Sequence, residues 1–179
     1  MNQSKIGIRY AKALFELAMD KKLLDVVQDS MKRILGAYQN KAFVRIIESP
    51  VIDPGVKHDL IMKITGSTRN PIMTSFMDLV MKNDREKFLK YMALHYNKLY
   101  KKHQNVKEVH LTTAISVNED VKARMRQIME GTFNATIEFS EELDKDIIGG
   151  FIARVDDLQF DASISTQLNK IKKEFIVKK

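Results

Sequence analysis

The spacing of apolar residues first changes period near Gln104-Asn105, and that change dictates the architecture. Before it, apolar residues recur every three to four positions, broken by proline-containing stops. After it, Val109, Leu111, Thr113 and Ile115 alternate with His110, Thr112 and Ala114, as on a half-buried strand. One period cannot serve both geometries, because a helix repeats every 3.6 residues and a strand every two. The expected fold is therefore mostly α. A six-helix bundle occupies residues 1–104, and a small α/β domain with a short sheet occupies 105–179.

Local signals divide the first part. A first helix is expected from about Ser4, as N-cap, to Asp20, and a second from about Leu23 to Tyr38. A third, Ala42 to Glu48, stops at Ser49-Pro50, since proline disfavours helix in the residue before it. Asp53-Pro54 and Asn70-Pro71 each pair a capping side chain with proline at the first helical position, opening the fourth and fifth helices. Asn83 or Asp84 is expected to cap a sixth helix that runs to about His103. In the second part, Ser116 to Glu119 has capping-box spacing and opens a helix that Gly131 ends. Ile137 and Phe139 mark a second strand. Ile147 to Val155 reads as a third, with Gly149-Gly150 permitting a bulge or a close backbone contact. Asp156-Asp157 turns into a short fourth strand, and a last helix runs from about Ala162 to Ile176.

Helical wheels separate the helices by how much apolar surface they carry. The last helix has a narrow stripe of Ile164, Leu168, Ile171 and Phe175, enough to seat it on its own domain. The first helix is apolar over about half its circumference, through Ile6, Tyr10, Ala13, Leu14 and Leu17 and on to Ile8, Ala11, Phe15 and Ala18. The fifth repeats this with Ile72, Met73, Phe76, Met77, Leu79, Val80 and Met81. Such a helix is either buried on two sides or packs one side inward and offers the other to a partner helix. The methionines suit either role.

Composition narrows the chemistry. There is no cysteine, so disulfides, thiolate metal sites and cysteine nucleophiles are excluded. No apolar run approaches the ~18–20 residues that span a bilayer, and the first residues lack the segments of a signal peptide. The expected location is thus the cytosol. The net charge of +7 suits an acidic protein partner or, alternatively, nucleic acid. Basic residues gather modestly at Lys98, Lys101, Lys102 and His103, and at Lys170, Lys172, Lys173, Lys178 and Lys179. No recognition-helix, RNP-type or Gly-x-x-Gly motif accompanies them. Gly149-Gly150 lacks the Lys-Ser/Thr of a phosphate loop, the four histidines lack metal-ligand spacing, and the carboxylates near Glu141 and Asp156 lack EF-hand periodicity. His95 falls on the apolar side of its helix, as a core histidine would. No catalytic residue, cofactor or metal ligand is expected; the chain reads as a protein that binds other proteins.

Several segments carry a resemblance. Arg9-Tyr10-Ala11-Lys12-Ala13-Leu14-Phe15-Glu16-Leu17-Ala18, Ser49-Pro50-Val51-Ile52 and Phe76-Met77-Asp78-Leu79-Val80-Met81-Lys82-Asn83-Asp84-Arg85 occur in that order. They are followed by Ile137-x-Phe139, Leu143-Asp144, Ile147, Gly149-Gly150-Phe151, Arg154 and Asp161-Ala162-Ser163-Ile164 with Gln167-Leu168. Together they resemble the delta subunit family of F-type ATP synthase, called OSCP in mitochondria, over essentially the whole chain. Ala153 stands where that family has a larger aliphatic, and Asp156 where it has Gly, Ser, Asn or Glu. The resemblance implies a non-catalytic stator subunit that ties the catalytic F1 head to the peripheral stalk. Its first and fifth helices would hold the N-terminal helix of an α subunit, and its C-terminal domain would engage the ends of the b subunits. By position, Tyr10, Ala13, Leu14, Phe76 and Val80 become candidates for the α-helix groove, and Gly149, Gly150, Phe151, Asp161 and Ser163 form the signature of the C-terminal part. No nucleic acid is implied. Contact with the membrane would be indirect, through the complex on the cytoplasmic face of a bacterial cell membrane.

Overall fold

The computed structural model describes residues 3–66 and 70–177; side chains are described except at 3, 4, 146, 171 and 173–177. The protein is mostly helical with a small four-stranded sheet, and it divides into two compact units, Met1–His103 and Gln104–Lys179.

The first unit holds α1 (Gln3–Asp20), α2 (Leu24–Ala37), α3 (Lys41–Glu48), α4 (Pro54–Thr65), α5 (Pro71–Lys82) and α6 (Leu89–His103). Polar caps start three of them. Asn40 accepts from the Ala42 N–H, Asp53 from Gly55 and Asn70 from Ile72, each satisfying a donor that the first helical turn leaves open. α1 already includes Gln3, so Ser4 lies inside the helix rather than at its cap. Neither Asn83 nor Asp84 opens α6. Asp84 sits in the left-handed region at φ +53°, its N–H donates to Met81 O, and the Arg85 N–H donates to Val80 O. These bonds close the C-terminus of α5 in a Schellman turn, and a 3-10 turn, Glu86–Phe88, then leads into α6.

α6 packs along both α1 and α2, and buried Leu89, Met92, Ala93 and Tyr96 join Ala11, Leu14, Ala18, Val27, Met31 and Ile34 in one core. Gly7 permits the approach of α1 to α6: a Cβ there would lie 2.7 Å from Tyr91 Cβ. Some of the polar groups carried into this interior are paired, while Gln28 Oε1 is buried without a partner among the described residues. Gln28 Nε2 donates to Asn97 Oδ1 at 2.6 Å, and buried Lys57 meets Glu86 at 2.8 Å. His95 is half-buried; burial, then the charge of Lys98, holds its imidazole below the usual range.

The second unit is built on a sheet of order β2-β1-β3-β4, from β1 (Val106–Thr113), β2 (Thr136–Leu143), β3 (Phe151–Val155) and β4 (Leu158–Asp161). β1 and β2 run parallel, joined by α7 (Glu119–Phe133), because a parallel pair needs a crossover. β3 is antiparallel to β1 and β4 to β3. Val109, Leu111, Ile137, Ala153 and Val155 form the inner face, and Met125, Met129 and Phe133 of α7 pack against it. β1 begins three residues earlier than the alternation starting at Val109 suggests and ends before Ile115, which is exposed. The N-cap of α7 is Asn118, accepting from the Asp120 N–H, rather than Ser116. Gly131 does not end α7; a Cβ there would meet nothing, and the helix continues until Asn134 turns left-handed at φ +47°. Ile147 closes a 3-10 turn (Lys145–Ile147), so β3 begins only after the two glycines. α8 (Ile164–Val177) follows β4. The expected stripe on this helix includes Ile171 and Phe175, which lie outside the described side chains, as does Lys173 of the basic group; Lys178 and Lys179 lie outside the described residues.

Candidate functional site

α1 and α5 contact each other, and their meeting leaves an open cleft of about 260 Å³. Arg9, Tyr10 and Ala13 form one wall, Phe76 and Leu79 the other. The geometry follows from helix phase. On α1, Leu14 and Ala11 point into the core, so Tyr10, Ala13 and Leu17, on the adjoining face, stand at or outside its edge. On α5, Met73, Met77 and Val80 take the core positions, leaving Phe76 at the boundary and Leu79 outside it. The Tyr10 and Phe76 rings meet edge to face, with centroids 6.5 Å apart at 71°. They make the floor rigid. The Arg9 guanidinium carbon lies 5.8 Å from the Tyr10 ring centroid, at cation–π range.

The five groove candidates separate by burial. Tyr10 is half-buried, Ala13 is exposed, and Phe76, 7% exposed, presents an edge; these three line the cleft. Leu14 at 2% and Val80 at 0% are core residues and do not line it. Two lining residues, Arg9 and Leu79, were outside the candidate set. Leu79 is 50% exposed, a large apolar side chain on a helix whose inward face is already filled. Its place on the far side of the wheel from Met77 was the available signal.

The five signature residues of the second unit converge on one turn at the start of α8. Gly150 adopts φ +80°, and a Cβ on it would lie 2.3 Å from Ala162 O, so backbone packs directly on backbone. Of the two roles open to the glycine pair, this is the close contact, not a bulge. The Phe151 carbonyl accepts from Ala162 N–H at 2.9 Å and Gly149 O accepts from Ile164 N–H at 3.0 Å. Asp161 Oδ1 accepts from Ser163 N–H at 2.9 Å, and its Oδ2 accepts from Thr166 Oγ1 at 2.8 Å. Ser163, buried at the N-cap position, accepts from Thr166 N–H. These hydrogen bonds, the backbone N–H of Ser163 first, hold the Asp161 carboxyl below the usual carboxylate range. Every one of these partners is internal to the turn, so the signature holds the helix in place.

Among the described residues no group of carboxylates and histidines is placed to hold a metal ion, and no helix is long and apolar enough to cross a membrane. Glu141 is engaged locally: Lys122 pairs with it and with Glu119, the latter at 2.7 Å.

The family model of the ATP synthase delta (OSCP) subunit matches residues 6–175. The chain is 30% identical to the ATP synthase subunit delta of Cytophaga hutchinsonii, covering 98% of this chain and 96% of that one. It is 32% identical to the subunit delta of Parabacteroides distasonis, covering 96% of each. A chain in the cryo-EM structure of the Toxoplasma gondii mitochondrial ATP synthase hexamer shares the fold at a TM-score of 0.75. That likeness, at 17% identity, spans 95% of this chain and 97% of the other. The protein therefore belongs to the ATP synthase delta (OSCP) subunit family, a structural rather than catalytic component of that enzyme.

Proposed function

We propose that this chain is the stator connector of a bacterial F-type ATP synthase. Its helical unit, residues 1–104, is the family's six-helix bundle and grips the N-terminal helix of an α subunit of the F1 head. Its α/β unit, residues 105–179, engages the ends of the b subunits, so that the head resists rotor torque during ATP synthesis. The protein sits at the cytoplasmic face of the cell membrane and touches the bilayer only through the complex.

The observation that carries this reading is the α1–α5 cleft, with apolar Ala13 and Leu79 left uncovered at its edges. An amphipathic helix laid in the cleft buries its own apolar face and these side chains together. Apolar burial contributes roughly 25 cal/mol per Å². Association costs on the order of 10 kcal/mol, so about 400 Å² of apolar surface only offsets it. The docked helix must therefore extend past the five lining residues, and exposed Leu17, two turns along the same face of α1 from Tyr10, continues the track.

Calorimetric titration of the full chain with a synthetic peptide of the cognate α subunit's N-terminal segment tests the reading. One-to-one binding with a negative heat-capacity change is expected, and it should be lost in Leu79→Asp. A wild-type chain that fails to bind the peptide would move the head contact off this cleft.

A further inference from the structure

We infer that the cleft is read by charge as well as by shape: Arg9 pairs with a carboxylate on the docked helix, so the partner carries an acidic residue beside its apolar face. The inference rests on the docking reading above and names what the docked helix must display.

Arg9 is exposed and is the charged member of the cleft lining; the other four residues are Tyr10, Ala13, Phe76 and Leu79. Its guanidinium carbon lies 5.8 Å from the Tyr10 ring centroid, within cation–π range. The planar N–H edge of a guanidinium matches the two oxygens of a carboxylate. No carboxylate among the described residues pairs with Arg9, whereas Lys12, on the next turn of α1, lies 3.8 Å from Glu16. An arginine at the edge of an apolar cleft, unpaired among the described residues, loses water when a helix covers the cleft. It then needs an acceptor, because an uncompensated charge there would oppose binding.

The charge of the helical unit points the same way. Residues 1–103 hold 19 Lys and Arg against 10 Asp and Glu, a net +9, whereas residues 104–179 hold 11 against 13, a net −2. The chain's positive excess thus belongs to the unit that carries the cleft, and it attracts an acidic segment before contact. Nucleic acid is disfavoured at this site, because a phosphate chain needs successive cations along its path and the remaining walls here are apolar.

The test uses the full chain and the synthetic peptide of the cognate α subunit's N-terminal segment, together with peptides in which each Asp or Glu is singly changed to Asn or Gln. Arg9→Gln should weaken the unmodified peptide about tenfold and reduce the salt dependence of binding, with an unchanged melting temperature because the side chain is exposed. One modified peptide should lose a similar factor against the wild-type chain and lose nothing further against Arg9→Gln. If Arg9→Gln binds the unmodified peptide as tightly as wild type at every salt concentration, the inference is overturned while the cleft reading stands. If the wild-type chain binds no peptide, both fall. A concentration-dependent dimer that Leu79→Asp abolishes would instead assign the cleft to a second copy of this chain, and would overturn the inference as well.

Discussion

Backbone conformation decides more of this fold than any single side-chain contact, and six non-glycine residues with positive φ mark the places among the described residues. Asp84 and Asn134 end helices, and Asp156, at φ +51°, turns β3 into β4 while its carboxylate meets Lys107 at 2.7 Å. Gly150, at φ +80°, adds a close backbone contact to its left-handed conformation. Gly150→Ala would combine a left-handed alanine with a Cβ 2.3 Å from Ala162 O. The cost should be about 2 kcal/mol or more, read as a lower melting temperature and faster amide exchange at Ser163 and Ile164. Asp161 adds a pH dependence to the same turn. Its folded-state pKa is lowered, chiefly by the Ser163 N–H, so its contribution is complete above the ordinary carboxylate range and is lost as pH falls through the lowered value. The protection factor at Ser163, exchange relative to the intrinsic rate at each pH, should therefore be flat near neutrality and fall in acid, and Asp161→Asn should remove that acid response. Local chemistry made part of this legible. Asp53-Pro54 and Asn70-Pro71 announce their caps within two residues. Gly131 misleads, because helix tolerance of glycine and helix termination at Asn134 look alike without the neighbours that each would meet.

The same limit governs the helices. Periodicity identifies α1 and α5 as carrying more apolar arc than one interface needs, but it cannot say which part of the arc the neighbouring helices cover. The structure divides it: Leu14 and Val80 inward, Ala13 and Leu79 outward, Tyr10 and Phe76 between. This division decides which variants probe binding. Phe76→Ala removes a 7%-exposed ring and should cost about 3–5 kcal/mol of stability, and Leu14→Asp would bury a charge, so either confuses unfolding with loss of contact. Leu79→Asp alters a half-exposed position and should change stability by roughly 0.5 kcal/mol or less, while opposing an apolar partner. Denaturant melts of the three variants should fall in that order of severity, with Leu79→Asp nearest wild type. α1 has a constraint of its own at Gly7. Alanine is ordinarily about 1 kcal/mol better than glycine in a helix, yet here its methyl would lie 2.7 Å from Tyr91 Cβ and 3.0 Å from Tyr91 C. The clash, about 1–3 kcal/mol, should outweigh the propensity gain, and Gly7→Ala should lower the melting temperature.

At the scale of the whole molecule, the change from helical to alternating spacing near Gln104 separates two units with different work. The helical unit carries the positive excess and the cleft. The α/β unit spends its most specific residues on seating α8, which explains why its signature can be prominent in the sequence without marking a contact surface. In the proposed connector role the chain needs no reaction centre; it needs two attachments that hold under load. The most direct measurement is reconstitution on membranes of the cognate complex from which the F1 head and this chain have been stripped and the peripheral stalk retained. Head retention and ATP-driven proton pumping are followed after adding back the head with the wild-type chain, with folded Leu79→Asp, or with neither. The wild-type chain should restore both, and Leu79→Asp should restore little more than its omission does. Full retention and coupled pumping without the chain, or with Leu79→Asp, would contradict the proposed attachment through the cleft.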